Sequence, residues 1–379
     1  MSMESGRERT TGDGAPSFVP RDLTLAIFAG SSGKPGAGGQ NKNFFLLDGR
    51  PLVQRQLDLA RELDFKRVIL VTDEKRVGEL ELPPRTTVLP SQPRQAGNFR
   101  LVKSEVTFAD DERCLVLFGD TPLISSGTVS DFLNRAAAVP VDFHHGLVPQ
   151  VFVEPFLDYF PRPLKGRQPF HVREFLARLG CLSLLRVNAF DPEATRAAVS
   201  TVMQGRKQDP DGGVVAHAMA RFRVLWGGLR FLGPKGLWLG TAATLAHWVH
   251  ERGFPHGARL FRTQVTLGAL DKVCTRLLGC ESRFLVCPYG GASLDVDTEV
   301  DLEVHGRHLT QLQDLHSLQG RLASQLVEPG FVLDEEHLRS LERFDPTAAG
   351  ELRRHPELYQ EQQRILHAAG ASAAASAAA

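Results

Sequence analysis

The 379-residue chain has no surplus of either charge, with lysine plus arginine and aspartate plus glutamate at 44 each. A general polyanion binder needs excess positive charge, so nucleic acid is not expected as a partner and any phosphate binding has to be local. Cysteine is scarce, with five residues. Cys114, Cys181, Cys274, Cys280 and Cys287 form neither a C-x-x-C pair nor a zinc spacing with histidine. They read as free thiols, buried at Cys114 and Cys287, in a reducing cytoplasmic setting. Long hydrophobic runs are missing as well. The nearest, FRVLWGGLRFLGPKGLWLGTAATLAHWV, is broken by Arg230, Lys235 and several glycines, so it reads as an amphipathic helical subdomain and not a transmembrane segment. The N-terminal MSMESGRERTTGDGAPS has no apolar core, which excludes a signal peptide there. Residues 1–21 are expected to be a disordered leader and the Ala/Ser-rich 369–379 a disordered tail.

Three motifs of catalysis and cofactor binding are also lacking. The Gly-rich stretch AGSSGKPGAGGQNKN (Ala29 to Asn43) fits neither G-x-G-x-x-G in register nor the Walker sequence, which disfavours a dinucleotide fold and a P-loop. No Ser/His/Asp triad is recognisable.

What the chain does have is alternation. Buried-strand patterns at LTLAIFAG (Leu23 to Gly30), RVILVTD (Arg67 to Asp73), TTVLP (Thr86 to Pro90) and LVLFGD (Leu115 to Asp120) are separated by helical ones. From Pro51, apolar Val53, Leu57 and Ala60 fall at i, i+4 and i+7. This pattern predicts an α/β fold with a mainly parallel sheet and crossover helices, whose right-handedness puts the strand C-termini on one edge. Further on, DFHHGLVPQ, CLSLLRVN, FLVCPY and ASLDVDT read as extended. A helix is expected from about Pro192 to Gly205, a mostly helical stretch over Val214 to Leu278, and a helix from Glu299 capped by Asp297 or Thr298. The charged segment from Gly330 to Ala368 reads as a helical appendage. The expected organisation is a domain over 22–310 with a helical subdomain at 214–280, then a helical extension over 311–368.

Three elements stand out at the shared strand edge. Asp120 ends an apolar strand, in LVLFGDTPLI, where open α/β sheets gather ligands; its bland use is a turn or cap before Pro122. The Gly-rich loop can aim successive N–H groups at phosphate oxygens, with Lys34 and Lys42 as point charges, or it can be merely flexible. In LDVDT, Asp295 and Asp297 alternate along a short strand, so only one of them is expected to face a cleft. His144 and His145 occupy adjacent strand positions and make a poor metal pair. Trp226, Trp238 and Trp248 are expected to fill the helical subdomain.

The segments LAIFAGSSG, NKNFFLLDGRPLV, FADDERCLVLFGDTPLI and DVDTEVDLE, in this order, resemble the MobA-like nucleotidyltransferases with a GT-A-type Rossmann-like domain. These are the molybdenum-cofactor guanylyltransferase-like group and the sugar-1-phosphate uridylyltransferases. The resemblance runs from about Leu23 to His308. It implies a three-layer α/β/α fold and transfer of a nucleoside monophosphate from a nucleoside triphosphate to a small phosphorylated acceptor. It puts Asp120 and Asp297 on Mg²⁺ or Mn²⁺, Lys42 and Lys34 beside phosphates, and Ala29, Gly30, Ser31, Ser32 and Gly33 along the triphosphate. Gly97 and Asn98, in QAGNF, would line the nucleobase pocket. Two carboxylates suit Mg²⁺, which fills its octahedron with water and substrate phosphates. The family's usual G-x-G-T-R loop is GSSGK here, with Lys34 at the arginine position, and its G-N pair is Gly180 and Cys181.

Arg206 and Lys207, after the helix at about Pro192, are candidates for an acceptor phosphate or else a solvated helix end. Two other readings stand beside the transferase. One is a GT-A glycosyltransferase using a nucleotide sugar, and the other is a degenerate nucleotide- or partner-binding domain whose helical region could rest on a membrane surface.

Overall fold

The structure is a computed structural model, and it describes residues 18–30, 41–92, 95–161, 169–189, 234–236, 238–246, 248–250, 252–327 and 334–377. Its centre is an eight-stranded sheet. The strands are β1 (Thr24–Phe28), β4 (Arg67–Thr72), β5 (Thr86–Pro90), β6 (Arg113–Phe118), β7 (Phe143–Pro149), β8 (Phe170–His171), β9 (Leu176–Arg186) and β10 (Ser282–Val286). They run in the order β10-β7-β9-β6-β1-β4-β5, with β8 beside β9. A separate hairpin, β2 (Leu46–Leu47) with β3 (Arg50–Pro51), turns through Asp48 and Gly49, both at positive φ, as a two-residue D-G turn requires.

Strands β1, β4, β5 and β6 are mutually parallel, and β10 is parallel to β7. Among the described strands of this sheet only β9 is reversed, pairing antiparallel with β6, β7 and β8. The period-two alternation of the central strands splits the core. Leu25, Ile27, Leu70, Leu115 and Leu117 face one side, packed with Val53, Leu57 and Ala60 of α1 (Leu52–Glu62) and Val129, Phe132 and Leu133 of α3 (Ser126–Ala137). Ala26, Phe28, Ile69, Val71, Cys114 and Val116 face the other, with Val102 of α2 (Gln95–Glu105). Strands buried on both faces, with helices covering each, give the three-layer arrangement.

In the second half, α4 (Gln150–Val153) follows β7. The helical region contains helical residues 238–246 and 248–250, then α5 (Pro255–Arg262) and α6 (Leu267–Leu278). Helix α7 (Glu299–Leu326) starts at Thr298, which with Asp301 forms a capping box, and it is kinked at the non-helical His308. The expected helix at 192–205 lies outside the described residues, as does the leader up to residue 17.

Several details refine or correct the expectations. Helix α2 begins at Gln95, so Gly97 and Asn98 lie in its first turn. ASLDVDT is not a strand: Gly290–Ser293 is a 3₁₀ turn, and the chain from Leu294 to Asp297 has no ladder. The C-terminal helices α8 (Glu335–Glu342), α9 (Pro346–Arg354) and α10 (Pro356–Ala377) are present as expected, and Leu341, Leu352, Tyr359 and Ile365 join the main core. The Ala/Ser-rich tail continues α10 to Ala377, because alanine extends an existing helix at almost no conformational cost. No helix among the described residues is long and apolar enough to cross a membrane.

Candidate metal and phosphate site

The parallel strands end together at the edge where Ala29, Ser91, Gly119 and Asp120 follow them. Gly119 N donates to Phe28 O (3.0 Å), and Ser91 N donates to Thr72 O (2.8 Å), so the ladder continues one residue past the strands. A Cβ on Gly119 would lie 2.7 Å from Asn43 Oδ1 and 3.0 Å from Ala29 Cβ. Only glycine lets the chain carrying Asp120 come this close to the chain carrying Lys42. The turn beyond it is fixed by Thr121 Oγ1 donating to Phe118 O (2.7 Å) and by buried Gln56 Nε2 donating to Thr121 O (2.6 Å).

Lys42 opens a 3₁₀ turn, Lys42–Phe44, capped by Asn41, whose side chain accepts from Asn43 N. Asn41 Nδ2 donates to Ala29 O (2.9 Å) and Asn43 Nδ2 to Gly30 O (3.3 Å). These amides lock the lysine turn onto the end of β1. The third piece comes from far along the chain. Val296 N donates to Asp120 O (2.8 Å), so the D-V-D segment is bonded by its backbone to the residue whose side chain it faces. Beneath it, Gly290 N donates to Gln319 Oε1 (2.8 Å), and Gln319 Nε2 donates to Phe152 O (2.6 Å). His316 lies under the same turn, its Nε2 bonded to Thr128 Oγ1 (2.6 Å). On the other side, Asp301 accepts from Asp297 N (3.1 Å) and Thr298 N (2.9 Å).

The result is one charge cluster. Asp120, Asp295 and Asp297 each offer a carboxylate oxygen, and these three lie within 4.8 Å of one another. Lys42 Nζ is 2.5 Å from Asp120 Oδ2 and bonds Asp297 Oδ1 as well. Burial works against the lysine's charge, and the carboxylates of Asp120 and Asp297 outweigh it, holding the ammonium well above its ordinary range. Even so, three acids face one base, which leaves a hard-oxygen donor set with net negative charge. That donor set fits a divalent cation of the Mg²⁺ or Mn²⁺ type.

Sequence reasoning had only one of Asp295 and Asp297 facing the cleft. Both do, because strand alternation does not apply to a segment that makes no ladder. Asn41, Asn43 and Gln56 were missed too. An N-x-N pair around a lysine is a signal only once its bonds to the preceding strand are visible. Ala29 and Gly30 stand at the site, with Gly30 packed against Ser91. Gly97 and Asn98 lie across that same loop: Asn98 is buried, and its Oδ1 accepts from Gln92 N (2.6 Å). Ser31, Ser32, Gly33, Lys34, Arg206 and Lys207 lie outside the described residues. Gly180 packs on Gly146 within the sheet, next to half-buried Cys181. His144 and His145 do diverge, the first to Val139 O and the second to Ser183 Oγ. Burial pushes the Cys114 and Cys287 thiols up to about 12, and none of the five cysteines forms a disulfide. A cavity of about 1100 Å³ lies elsewhere, between Glu154–Tyr159 and one face of α7, and shares no residue with the cluster.

Sheet and cluster together give an α/β domain with an acid-and-lysine cluster at the switch of its parallel strands. Residues 25–179 match the family model of the MobA-like NTP transferase domain. Among curated proteins, the bifunctional protein GlmU of Neisseria gonorrhoeae is 30% identical over 115 residues, covering 30% of this chain and 25% of that protein. GlmU of Francisella philomiragia is 26% identical over 118 residues, 30% and 26% of the two chains. The chain thus spans about a quarter of the length of these relatives. A hypothetical transferase from Thermus thermophilus aligns over 74% of this chain and 99% of its own at 22% identity, with a TM-score of 0.48. A 4-diphosphocytidyl-2C-methyl-D-erythritol synthase from Anaerococcus prevotii aligns over 77% and 97% at 9% identity, with a TM-score of 0.39.

Proposed function

We propose that the chain is a divalent-metal-dependent nucleotidyltransferase that moves a nucleoside monophosphate from a nucleoside triphosphate to a small phosphate-bearing acceptor. The observation that carries this reading is the convergence of Lys42, Asp120, Asp295 and Asp297 at one sheet edge, although Lys42 and Asp297 are 255 positions apart. A structural ion pair needs one acid per base. This site has two acids beyond that, gathered where β6 ends and the Leu294–Asp297 segment bonds to it.

In the reaction, an acceptor phosphate oxygen forms a bond to the α-phosphorus as the bond from that phosphorus to the bridging oxygen breaks, and pyrophosphate leaves with the electron pair. No protein nucleophile is required, since the acceptor is already ionised. Asp120, Asp295 and Asp297 would hold the cation, Mg²⁺ or Mn²⁺, which when bound supplies charge neutralisation at the α-phosphate. Lys42, at the same edge, would reach the phosphates and stabilise the charge that develops on the leaving group. Main-chain N–H groups after Gly30, with Lys34, would cradle the triphosphate. Gly97, Asn98 and the Ser91–Gln92 loop they support would border the base, while Arg206 and Lys207 are the acceptor-side candidates. Cysteines outside disulfides agree with a cytoplasmic setting.

The test is pyrophosphate release from each nucleoside triphosphate with Mg²⁺ and a panel of phosphorylated acceptors, for wild type and Asp120→Ala. Release lost in a folded variant is expected. Unchanged turnover would remove the proposed cation site, and release of a nucleoside diphosphate from a nucleotide sugar would make the chain a glycosyltransferase instead.

A further inference from the structure

The helical region carries the largest departure from expectation: Trp238 and Trp248 are not inside, while Trp226 lies outside the described residues. Trp238 is 49% exposed, Trp248 52%, Phe254 66% and Leu260 74%. In residues 238–250 the buried positions Ala242 and Ala246, with half-buried Leu239 and Val249, form the stripe that packs inward. Trp238, Thr241, Leu245 and Trp248 sit at i, i+3, i+7 and i+10, a second stripe alongside the first. Helix α5 folds back on this helix, with Gly257 close to Val249, and adds Phe254 and Leu260. A face with two tryptophans, a phenylalanine and a leucine is large for a protein surface.

Charge identifies what this face suits. The chain as a whole is neutral, yet residues 234–262 hold Lys235, Arg252, Arg259 and Arg262 against a single acid, Glu251. Lys235, Arg252 and Arg259 are exposed, and the Arg252 guanidinium lies 3.7 Å over the Trp248 ring. Indoles at the surface, flanked by cations, match the boundary of an anionic bilayer, where rings sit at headgroup depth and basic side chains meet lipid phosphates. The position fits too. Arg173 N donates to Val265 O (2.7 Å), just before β9 begins. Because β9 runs antiparallel to β6 and β7, its start lies on the edge where those strands end, which is the edge of the acid cluster.

We propose that Trp238, Trp248, Phe254 and Leu260, with Lys235, Arg252 and Arg259, form a peripheral docking face for anionic phospholipid bilayers. This stands independently of the nucleotidyl-transfer reading. The test is flotation of the full chain with phosphatidylcholine vesicles with and without phosphatidylglycerol at low salt, with tryptophan emission recorded in parallel. Wild type is expected to float with the anionic vesicles alone, with a blue-shifted emission that added salt reverses. Each basic residue near such a surface is worth roughly fivefold in partition, so Arg252→Glu with Arg259→Glu is expected to lower binding by roughly 25-fold or more. Trp248→Ala with Phe254→Ala and Leu260→Ala is expected to abolish the emission shift. All these side chains are exposed, and thermal unfolding verifies that both variants fold. No flotation of wild type would overturn the proposal, as would equal binding by both variants. So would a wild-type dimer, seen by sedimentation, that the apolar variant converts to monomer, because the face would then be an interface between copies.

Discussion

Strands β1 and β6 carry a charge cluster at each end, and the two are built on opposite principles. At the N-terminal end, Glu112 is buried and fully engaged. It accepts from Thr24 Oγ1 (2.6 Å), Arg67 Nη2 (2.8 Å) and Ala109 N (3.2 Å), and pairs with Lys66 Nζ (3.1 Å). Arg67 also lies over the Phe108 ring. One acid there has two cations and a hydroxyl. At the C-terminal end, three carboxylates share one lysine. The first cluster has every lone pair accounted for and pins the sheet; the second has charge left over, which is what a site that must still bind something requires.

This difference can be broken or sharpened by substitution. Asp120→Asn is expected to have the largest effect, lowering pyrophosphate release about 1000-fold, the scale of losing a principal charge-stabilising group. Because it relieves repulsion among the acids, the unfolding temperature of the metal-free protein should hold or rise. A fall in that temperature would place Asp120 with the structural cluster. Lys42→Met is expected to lower turnover about 100-fold. In the absence of nucleotide it should also tighten Mn²⁺ binding by about tenfold, since a competing positive charge has gone. Calorimetric titration checks this, and weaker metal binding would mean that the lysine supports the cation instead of holding its place.

Glu112→Gln should act in the reverse sense, costing about 2 kcal/mol of unfolding free energy in urea by leaving Arg67 without its partner, with activity per folded molecule retained. The smallest effect is on pH dependence. Burial lowers His316, beneath the D-V-D turn, from 6.5 to about 3, and His144 and His145 to about 4. A base depressed by folding contributes stability above its unfolded value, and that stability is lost as pH falls from there through the folded value. Urea unfolding is therefore expected to show stability declining below about pH 6.5 and on towards 3, with a shallower slope in His316→Asn. An identical slope would assign the loss to other groups.

The parallel half of the sheet was legible because its information is local. LAIFAG, RVILVT and LVLFGD are continuous apolar runs that only a doubly covered parallel strand explains, and Pro51 with the Val53, Leu57, Ala60 spacing marks α1. Asp120 and Lys42 were readable as candidates for the same reason. Asp295 was not, because its orientation depends on a ladder that Val296 abandons to bond Asp120. Asn41 and Asn43 matter only through the carbonyls of Ala29 and Gly30. The helical region misled for a related reason: apolar tryptophans at helical spacing predict burial, and Trp238 and Trp248 lie one stripe away from the buried alanines.

Whether the acid cluster and Lys42 form a cation-assisted triphosphate site is decided by equilibrium binding of the four nucleoside triphosphates with and without Mg²⁺ to wild type and Asp120→Asn. At least one nucleotide is predicted to bind wild type in an Mg²⁺-dependent manner and to lose that dependence in the variant. Binding of none of the four, or binding that is equal without the metal and in the variant, would contradict such a site.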